Sequence, residues 1–469
     1  DHQPLRIDPQ ERRTQVSHKP LTPEGEHTEA AAVQGAEGGQ LSGDAQAMRA
    51  AEGTEGIQPG SGSEIAEGVT PGETPRGISR RGMLALVGAA GMAAGAAVGV
   101  GGSMAFGGRR GAGSATDPSL EYPFYGTHQG GITTPAQDQM HFAAFDLDDD
   151  LTREDLIELL QDWTYAASRM TRGLDVSASG SFDGGPLMPP DDTGEAYGLG
   201  PQGLTITFGF GRSLFETADG TDRFGLKAHM PAELQDLPKM VNDFIQPELS
   251  GGDIAIQACA NDPQVAVHAI RNLTRIAFGR AAIRWSQLGF GRTSSTSTSQ
   301  TTPRNLFGQK DGTANIKAEN ATELDEHVWI PSEQGPAWAA GGTYLVARRI
   351  AMTIEIWDGL RLEEQERVTG RDKREGAPLS GGEEFTDPDF AATDDTGKPK
   401  IDDRSHVFRT HPDNNNGIKM LRRGYNYVDG NDEFGRLNAG LFFIAFVKDP
   451  ERFVAVHKNM ARDDMFVEY

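Results

Sequence analysis

Three short stretches of the 469-residue chain hold side chains suited to acid–base, electrostatic or metal-ligand chemistry. The first, Gly308-Gln309-Lys310-Asp311-Gly312-Thr313-Ala314-Asn315, sets a carboxylate in a glycine-flanked loop. A carboxylate so placed can carry a proton between two substrate atoms. An Asp-Gly pair also serves simply to satisfy a turn. The second, Ser405-His406-Val407-Phe408-Arg409-Thr410-His411-Pro412, offers imidazoles. A neutral imidazole is a metal ligand, and a lone histidine is equally a structural residue. The third, Met420-Leu421-Arg422-Arg423-Gly424-Tyr425-Asn426-Tyr427, pairs two arginines. A guanidinium is always charged and can stabilise negative charge that develops in a transition state. An arginine pair on a strand also serves as a surface salt-bridge partner.

The elements that must position these groups follow from hydrophobic periodicity. His141–Leu147, Leu204–Phe210, Asp253–Ala260 and Ala282–Phe290 read as strands. Thr152–Arg172 reads as a helix, with Leu156, Leu159, Leu160 and Trp163 at helical spacing and Thr152 as its N-cap. Asp262–Phe278 is a second amphipathic helix. A Ser/Thr-rich linker follows, Thr293–Thr302. The second half repeats the theme: a long β-like run over Thr343–Trp357, a helix near Leu362–Arg371, and extended chain at Phe408 and over Leu421–Val428. A strand over Leu441–Val447 and a helix over Pro450–Ala461, with proline in its first turn, complete it. The expected class is α+β, with two ferredoxin-like modules whose antiparallel sheets are flanked by helices.

Composition restricts the function. The formal net charge is -24, which argues against a nucleic-acid partner, because phosphate binding needs clustered lysine and arginine. One cysteine, Cys259, excludes an intramolecular disulfide and any Cys-based zinc or iron–sulfur site. Residues 1–105 hold no Phe, Trp or Tyr, and 1–78 read as a disordered acidic tail. Within 79–118, Ser79-Arg80-Arg81-Gly82-Met83-Leu84 precedes a run to Gly108 without charge, with Ser103-Met104-Ala105 as a small-x-small cleavage site. A paired arginine before a weakly hydrophobic stretch looks like a twin-arginine export signal; a retained membrane anchor is the rival reading. The folded modules are expected over 119–306 and 307–469.

Together, in this order, the three stretches resemble the dye-decolorising peroxidase family, in its twin-arginine-exported branch, the deferrochelatase/peroxidases associated with iron uptake. Gly342-Thr-Tyr-Leu-Val-Ala-Arg-Arg-Ile350, Ile354-Glu-Ile-Trp-Asp358, Glu364-Gln365-Glu366, Gly370-Arg371 and Gly376-Ala-Pro-Leu379 extend the resemblance, which runs from about Tyr122 to the end. It implies one haem b per chain, held in the second module, with His406 as the proximal iron ligand. Asp464 is its candidate hydrogen-bond partner. Asp311 and Arg422 match the distal aspartate and arginine. Gly312, Thr313, Ala314 and the segment His411-Pro412-Asp413 would line the haem. The family more often has Asn-Pro-Arg at that segment; Asp413 stands in place of that arginine and its propionate contact, and Arg348 or Arg409 could compensate. The loop between His406 and Arg422 is short for the pattern, which leaves Arg423 as a rival for the distal role.

The implied function is a peroxidase that reduces hydrogen peroxide and oxidises bulky reductants such as dyes and phenols. One alternative is a deferrochelatase that releases iron from haem in envelope iron uptake. Another is a non-enzymatic haem carrier, which would need His406 but not Asp311 with Arg422. Implied partners are the twin-arginine export machinery and iron-uptake components, and the implied location is periplasmic, extracellular or at the cell envelope. The family chain continues past Glu468-Tyr469. The sequence leaves a homo-oligomer open.

Overall fold

In the first half, strand β1 (Gln139–Leu147) alternates its side chains between two cores. Ala143 and Phe145 face a cluster built with two helices, while Met140 and Phe142 face a cluster shared with the second half. These are coordinates of a computed structural model, which describes residues 117–469 except Asn242. The expected acidic tail, 1–78, and all but the last two residues of the expected signal and linker, 79–118, lie outside the described residues.

Helix α1 (Arg153–Met170) starts at Thr152 through a capping box: the Thr152 hydroxyl accepts from the Asp155 N–H, and the Asp155 carboxylate accepts from the Thr152 N–H. Its buried stripe is Leu156, Leu159, Trp163, Ala166, Ala167 and Met170. Helix α2 (Pro263–Ile276) is capped by Asp262, with proline at its start. The Trp163 indole donates to the Leu273 carbonyl at 2.7 Å and ties α1 to α2. Strands β2 (Thr205–Phe210), β3 (Ile254–Ala260) and β4 (Ala281–Arg292) complete this half, in the spatial order β2-β3-β1-β4, all pairs antiparallel.

The second half repeats the pattern. Strand β5 (Tyr344–Ala351) pairs with β8 (Leu437–Val447), which pairs in turn with β7 (Tyr425–Asn431). A two-residue strand β6 (Leu421–Arg422) also pairs with β8. The two sheets join through β4 and β7, at Phe290↔Asn426 and Arg292↔Tyr425, into one eight-stranded antiparallel sheet. The fold is α+β, two ferredoxin-like halves on one sheet. Its helices in this half are α3 (Ala321–His327), α4 (Ile354–Asp358), α5 (Leu362–Thr369), α6 (His406–Thr410) and α7 (Pro450–Asp463).

Three local expectations change. The β-like run over Thr343–Trp357 ends at Ala351 and turns into α4, because Trp357 is fully buried against Phe307, with ring centroids 4.3 Å apart. Phe408 is helical, since the Ser405 hydroxyl accepts from its N–H and caps α6. The first half of the linker is not solvated: Thr298, Ser299 and Thr301 are exposed, while Thr293 to Ser297 are all buried. Their hydroxyls and carbonyls satisfy neighbours, as where the Thr296 hydroxyl donates to the Thr134 carbonyl at 2.7 Å.

Candidate functional site

Asp311 sits at the end of a tight loop. The Gly308 N–H donates to the Asn305 carbonyl at 2.9 Å and the Asp311 N–H to the Pro303 carbonyl at 2.9 Å. Gly312 has φ +80°, a left-handed conformation, and a Cβ there would lie 3.0 Å from the Ser294 Cα. The turn and the site are therefore one feature: the glycine permits the turn that presents the carboxylate. Asp311 Oδ1 accepts from Arg422 Nη1 at 2.9 Å, and Oδ2 accepts from Asn305 Nδ2 at 3.2 Å. Asp311 and Arg422 side chains keep 14% and 29% of their exposure, so the pair is reachable by a small molecule.

Residue alternation decides between the two arginines. Arg422 points to Asp311, while Arg423 is fully buried and donates to the Thr134 carbonyl, the Gln137 amide oxygen and the Thr296 hydroxyl. Lys317, beside Arg422, donates to the carbonyl and hydroxyl of Ser295 at 2.8 and 2.6 Å. Burial, then the Arg422 charge, lowers its pKa. On the other side, Glu384 bonds Lys310 and accepts from the Thr313 hydroxyl at 3.4 Å. Burial alone would raise the Glu384 pKa; the bond from Lys310 leads the contacts that bring it below its usual value. Ala314 is exposed.

His406 opens α6. Its Nδ1 lies 2.8 Å from Asp464 Oδ2, and the Asp464 side chain is fully buried. Asp464 Oδ1 accepts from the Phe466 N–H at 2.9 Å, so the carboxylate is held by the start of the last turn. Phe466 meets the imidazole edge-on at 4.8 Å. Among the described residues Nε2 has no hydrogen-bond partner, and the side chain is 32% exposed. An imidazole with one nitrogen tied to a carboxylate and the other free is the usual form of a metal ligand. No hydrogen bond or ion pair among the described residues joins His406 to Asp311 or Arg422. The hairpin 370–379 touches both surroundings: Gly370 packs on Val407, and Gly376 on Lys310.

His411-Pro412-Asp413 forms a turn after α6. His411 Nδ1 accepts from the Asp413 N–H at 3.3 Å, and Phe390 packs edge-on against the ring. Burial lowers the His411 pKa. The Asp413 side chain is 76% exposed and points to water. Arg348 is paired with Asp243. Arg409 bonds Asp463 at 3.2 Å, and its buried Nε has no partner among the described residues. Sequence reasoning passed over Asn305 and Glu384 and gave Asn315 no role; Asn305 and Asn315 lie in or beside the Gly-x-x-Asp-Gly loop, which was their available signal.

The chain as a whole is similar to known proteins. The model for the N-terminal part of Dyp-type peroxidases matches residues 129–291, and that for the C-terminal part matches 302–469. The chain is 36% identical over 344 residues to the protein named deferrochelatase in Escherichia coli K12, covering 72% of this chain and 78% of that one. A DyP-type peroxidase from Streptomyces coelicolor superposes with a TM-score of 0.68 at 39% identity, over 75% of this chain and 91% of the other. Ferric DtpA from Streptomyces lividans gives 0.67 at 39%, over 75% and 90%.

Proposed function

The chain belongs to the dye-decolorising peroxidase family, in its deferrochelatase branch, and we propose that His406, Asp311 and Arg422 are its iron ligand, proton carrier and charge-stabilising residue. The enzyme is a haem-dependent peroxidase acting on hydrogen peroxide and an organic reductant.

The residues present fit haem. His406 offers a free Nε2 backed by the buried Asp464. One imidazole is too few protein ligands for a bare ion, and among the described residues no cluster of three or more His, Cys, Asp or Glu could hold one. Iron at His406 would therefore arrive with its other ligands, as in a porphyrin. The unpartnered Nε of Arg409, three residues along α6, suits an anionic propionate, and Asp413 is turned away from that role. When bound, haem supplies the redox chemistry; the protein supplies position and electrostatics.

The single observation that carries the reading is the Asp311–Arg422 contact of 2.9 Å in a partly open loop. Peroxide must lose a proton from one oxygen and gain one on the other before its O–O bond separates charge. Asp311 can take that proton and return it. Arg422 stabilises the negative charge on the departing oxygen without itself giving up a proton. Asp464 holds the His406 imidazole in one orientation and raises its basicity. Gly312, Thr313, Ala314, His411, Pro412 and Asp413 would line the haem. The decisive experiment is a haem titration: wild type develops a Soret band at one haem per chain, and His406→Ala should lose or strongly alter it. An unchanged spectrum in His406→Ala would sink the ligand assignment.

A second reading concerns iron. The relatives named deferrochelatase, at 36% identity, favour release of iron from haem; action at the envelope with iron-uptake proteins as partners is part of our proposal. Free protoporphyrin after incubation with haem would support it; haem recovered intact would count against it. Export by the twin-arginine route, to the periplasm, cell envelope or exterior, rests on Arg80 and Arg81 before the uncharged run. The tail 1–78, signal 79–118 and modules 119–306 and 307–469 remain our division of the chain. Replacing Arg80 and Arg81 by lysine should leave the protein in the cytoplasm.

A further inference from the structure

We propose that Asn315 is a positioning residue that fixes Arg422 relative to Asp311; this rests on the roles given above to those two residues. Strand β6 is only Leu421–Arg422, and its recorded strand partner is β8, through Leu421↔Phe446 and Arg422↔Ala445. Its other edge is completed by a side chain. Asn315 Oδ1 accepts from the Arg422 N–H at 2.7 Å, and Asn315 Nδ2 donates to the Arg422 carbonyl at 2.9 Å. One amide thus does for Arg422 what a residue of a neighbouring strand would do. The same Nδ2 donates to the Ser295 carbonyl at 3.1 Å, which anchors the bracket to the buried Ser/Thr segment. Asn315 is 6% exposed, so water competes little for these bonds.

The bracket belongs to the same turn as Asp311. The Asn315 N–H donates to the Gly312 carbonyl at 3.0 Å. Asp311 and Arg422 are 111 positions apart in sequence, yet the path from one to the other through Asn315 is a single turn and two hydrogen bonds. The side-chain contact between them is a partly exposed ion pair, and such pairs contribute little to holding geometry. It also weakens whenever Asp311 carries a proton, which is when Arg422 must stay in place. The Asn315 bracket is neutral and does not change with that proton. It keeps the guanidinium beside Asp311 through the proton transfer.

The test uses the haem-loaded enzyme and two readouts: the second-order rate constant with hydrogen peroxide, and the affinity for fluoride, a small anion read from the visible spectrum. Asn315→Leu should lower the peroxide rate constant by about 100-fold, as for a catalytic group displaced on the order of 1 Å. Fluoride affinity should fall with it, while haem stoichiometry and the KM for an organic reductant stay as in wild type. Asn315→Asp keeps the acceptor for the Arg422 N–H but turns an oxygen toward the Arg422 and Ser295 carbonyls, so it should regain less than one hydrogen bond's worth, under about tenfold. Wild-type peroxide and fluoride behaviour in Asn315→Leu overturns the proposal. If that variant does not fold, Asn315→Asp decides: reduced rate and fluoride affinity support the bracket, and wild-type values overturn it. Arg422→Leu serves as the control. Should it react as wild type does, the role of Arg422 fails, and the bracket with it; a slow Arg422→Leu beside normal Asn315 variants defeats the bracket alone.

Discussion

At the scale of residues, two carboxylates have opposite duties. Asp464 is fully buried and faces His406 Nδ1 at 2.8 Å, so it acts through the imidazole. Asp464→Asn keeps the shape but removes the charge. The iron potential should rise and the peroxide rate should fall about 10–100-fold, the usual size of an outer-ligand effect; spectroelectrochemistry would show it, and an unchanged potential would refute it. Asp311 is partly open and shares its two oxygens between Arg422 and Asn305; in the proposed reading it moves the proton itself. Asp311→Asn should lower the peroxide rate constant by roughly 10²–10⁴-fold, the range of a general acid–base group, with haem still bound. Stopped-flow at one pH suffices, and a wild-type rate would end the proton-carrier role. His406, Asp311 and Arg422 stood out in the sequence because each sits in a short motif, and the fold brings Asp311 to Arg422 at 2.9 Å. Asn315 was visible beside the Asp311 loop, but its role was not: its partners are Arg422 and Ser295, reached only after folding.

At the scale of elements, periodicity found the strands and long helices of both halves, because each buries one face. It failed where polar chain is buried. The Ser/Thr segment 293–297 has the composition of a solvated linker, yet its hydroxyls pair inside the protein. A second polar network joins α2 to the segment before β2. His268, on α2, lies 3.5 Å from Asp192 and 3.4 Å from Glu195. Burial alone would lower the His268 pKa; the bond and charge of Asp192, then Glu195, outweigh it, and the net shift is upward. Burial likewise opposes the ionised Asp192, but His268 and the Gly194 and Val176 N–H groups bring it down to about 2. The raised histidine stabilises the fold fully below its unfolded pKa, near 6.5, and loses this as pH rises through its higher folded value. The depressed Asp192 stabilises above 3.8, and loses this as pH falls toward about 2. Stability should therefore peak between these limits, in mildly acidic solution. His268→Leu leaves buried carboxylates facing no imidazolium and should cost about 3 kcal/mol. Urea titrations across pH would show the loss, with a flatter profile above pH 6.5 in the variant; parallel wild-type and variant profiles would contradict it.

At the scale of the whole molecule, the question is what makes two halves one structure. Their sheets meet at two registered pairs between β4 and β7, a narrow seam. Arg423 crosses that seam. It leaves the second half between β6 and β7 and reaches Thr134 and Gln137 in the segment before β1, and Thr296 in the connection. Its partners are neutral, its Nε has none among the described residues, and its side chain is fully buried. Burying a guanidinium without a carboxylate is costly, so its net contribution to stability is small or unfavourable. Its contribution to coupling is another matter, because Arg423 is the one charged side chain seen here bonding both the first half and the Ser/Thr segment. Arg423→Leu should leave the melting temperature nearly unchanged, since the lost bonds and the relieved desolvation offset each other. The transition itself should change: wild type should unfold as one cooperative step, with equal calorimetric and van't Hoff enthalpies, while the variant should broaden or split as the halves separate. Scanning calorimetry distinguishes these results. A single sharp transition in Arg423→Leu would assign the coupling to the β4–β7 seam and the shared core of Met140, Phe142, Tyr425 and Phe442 instead.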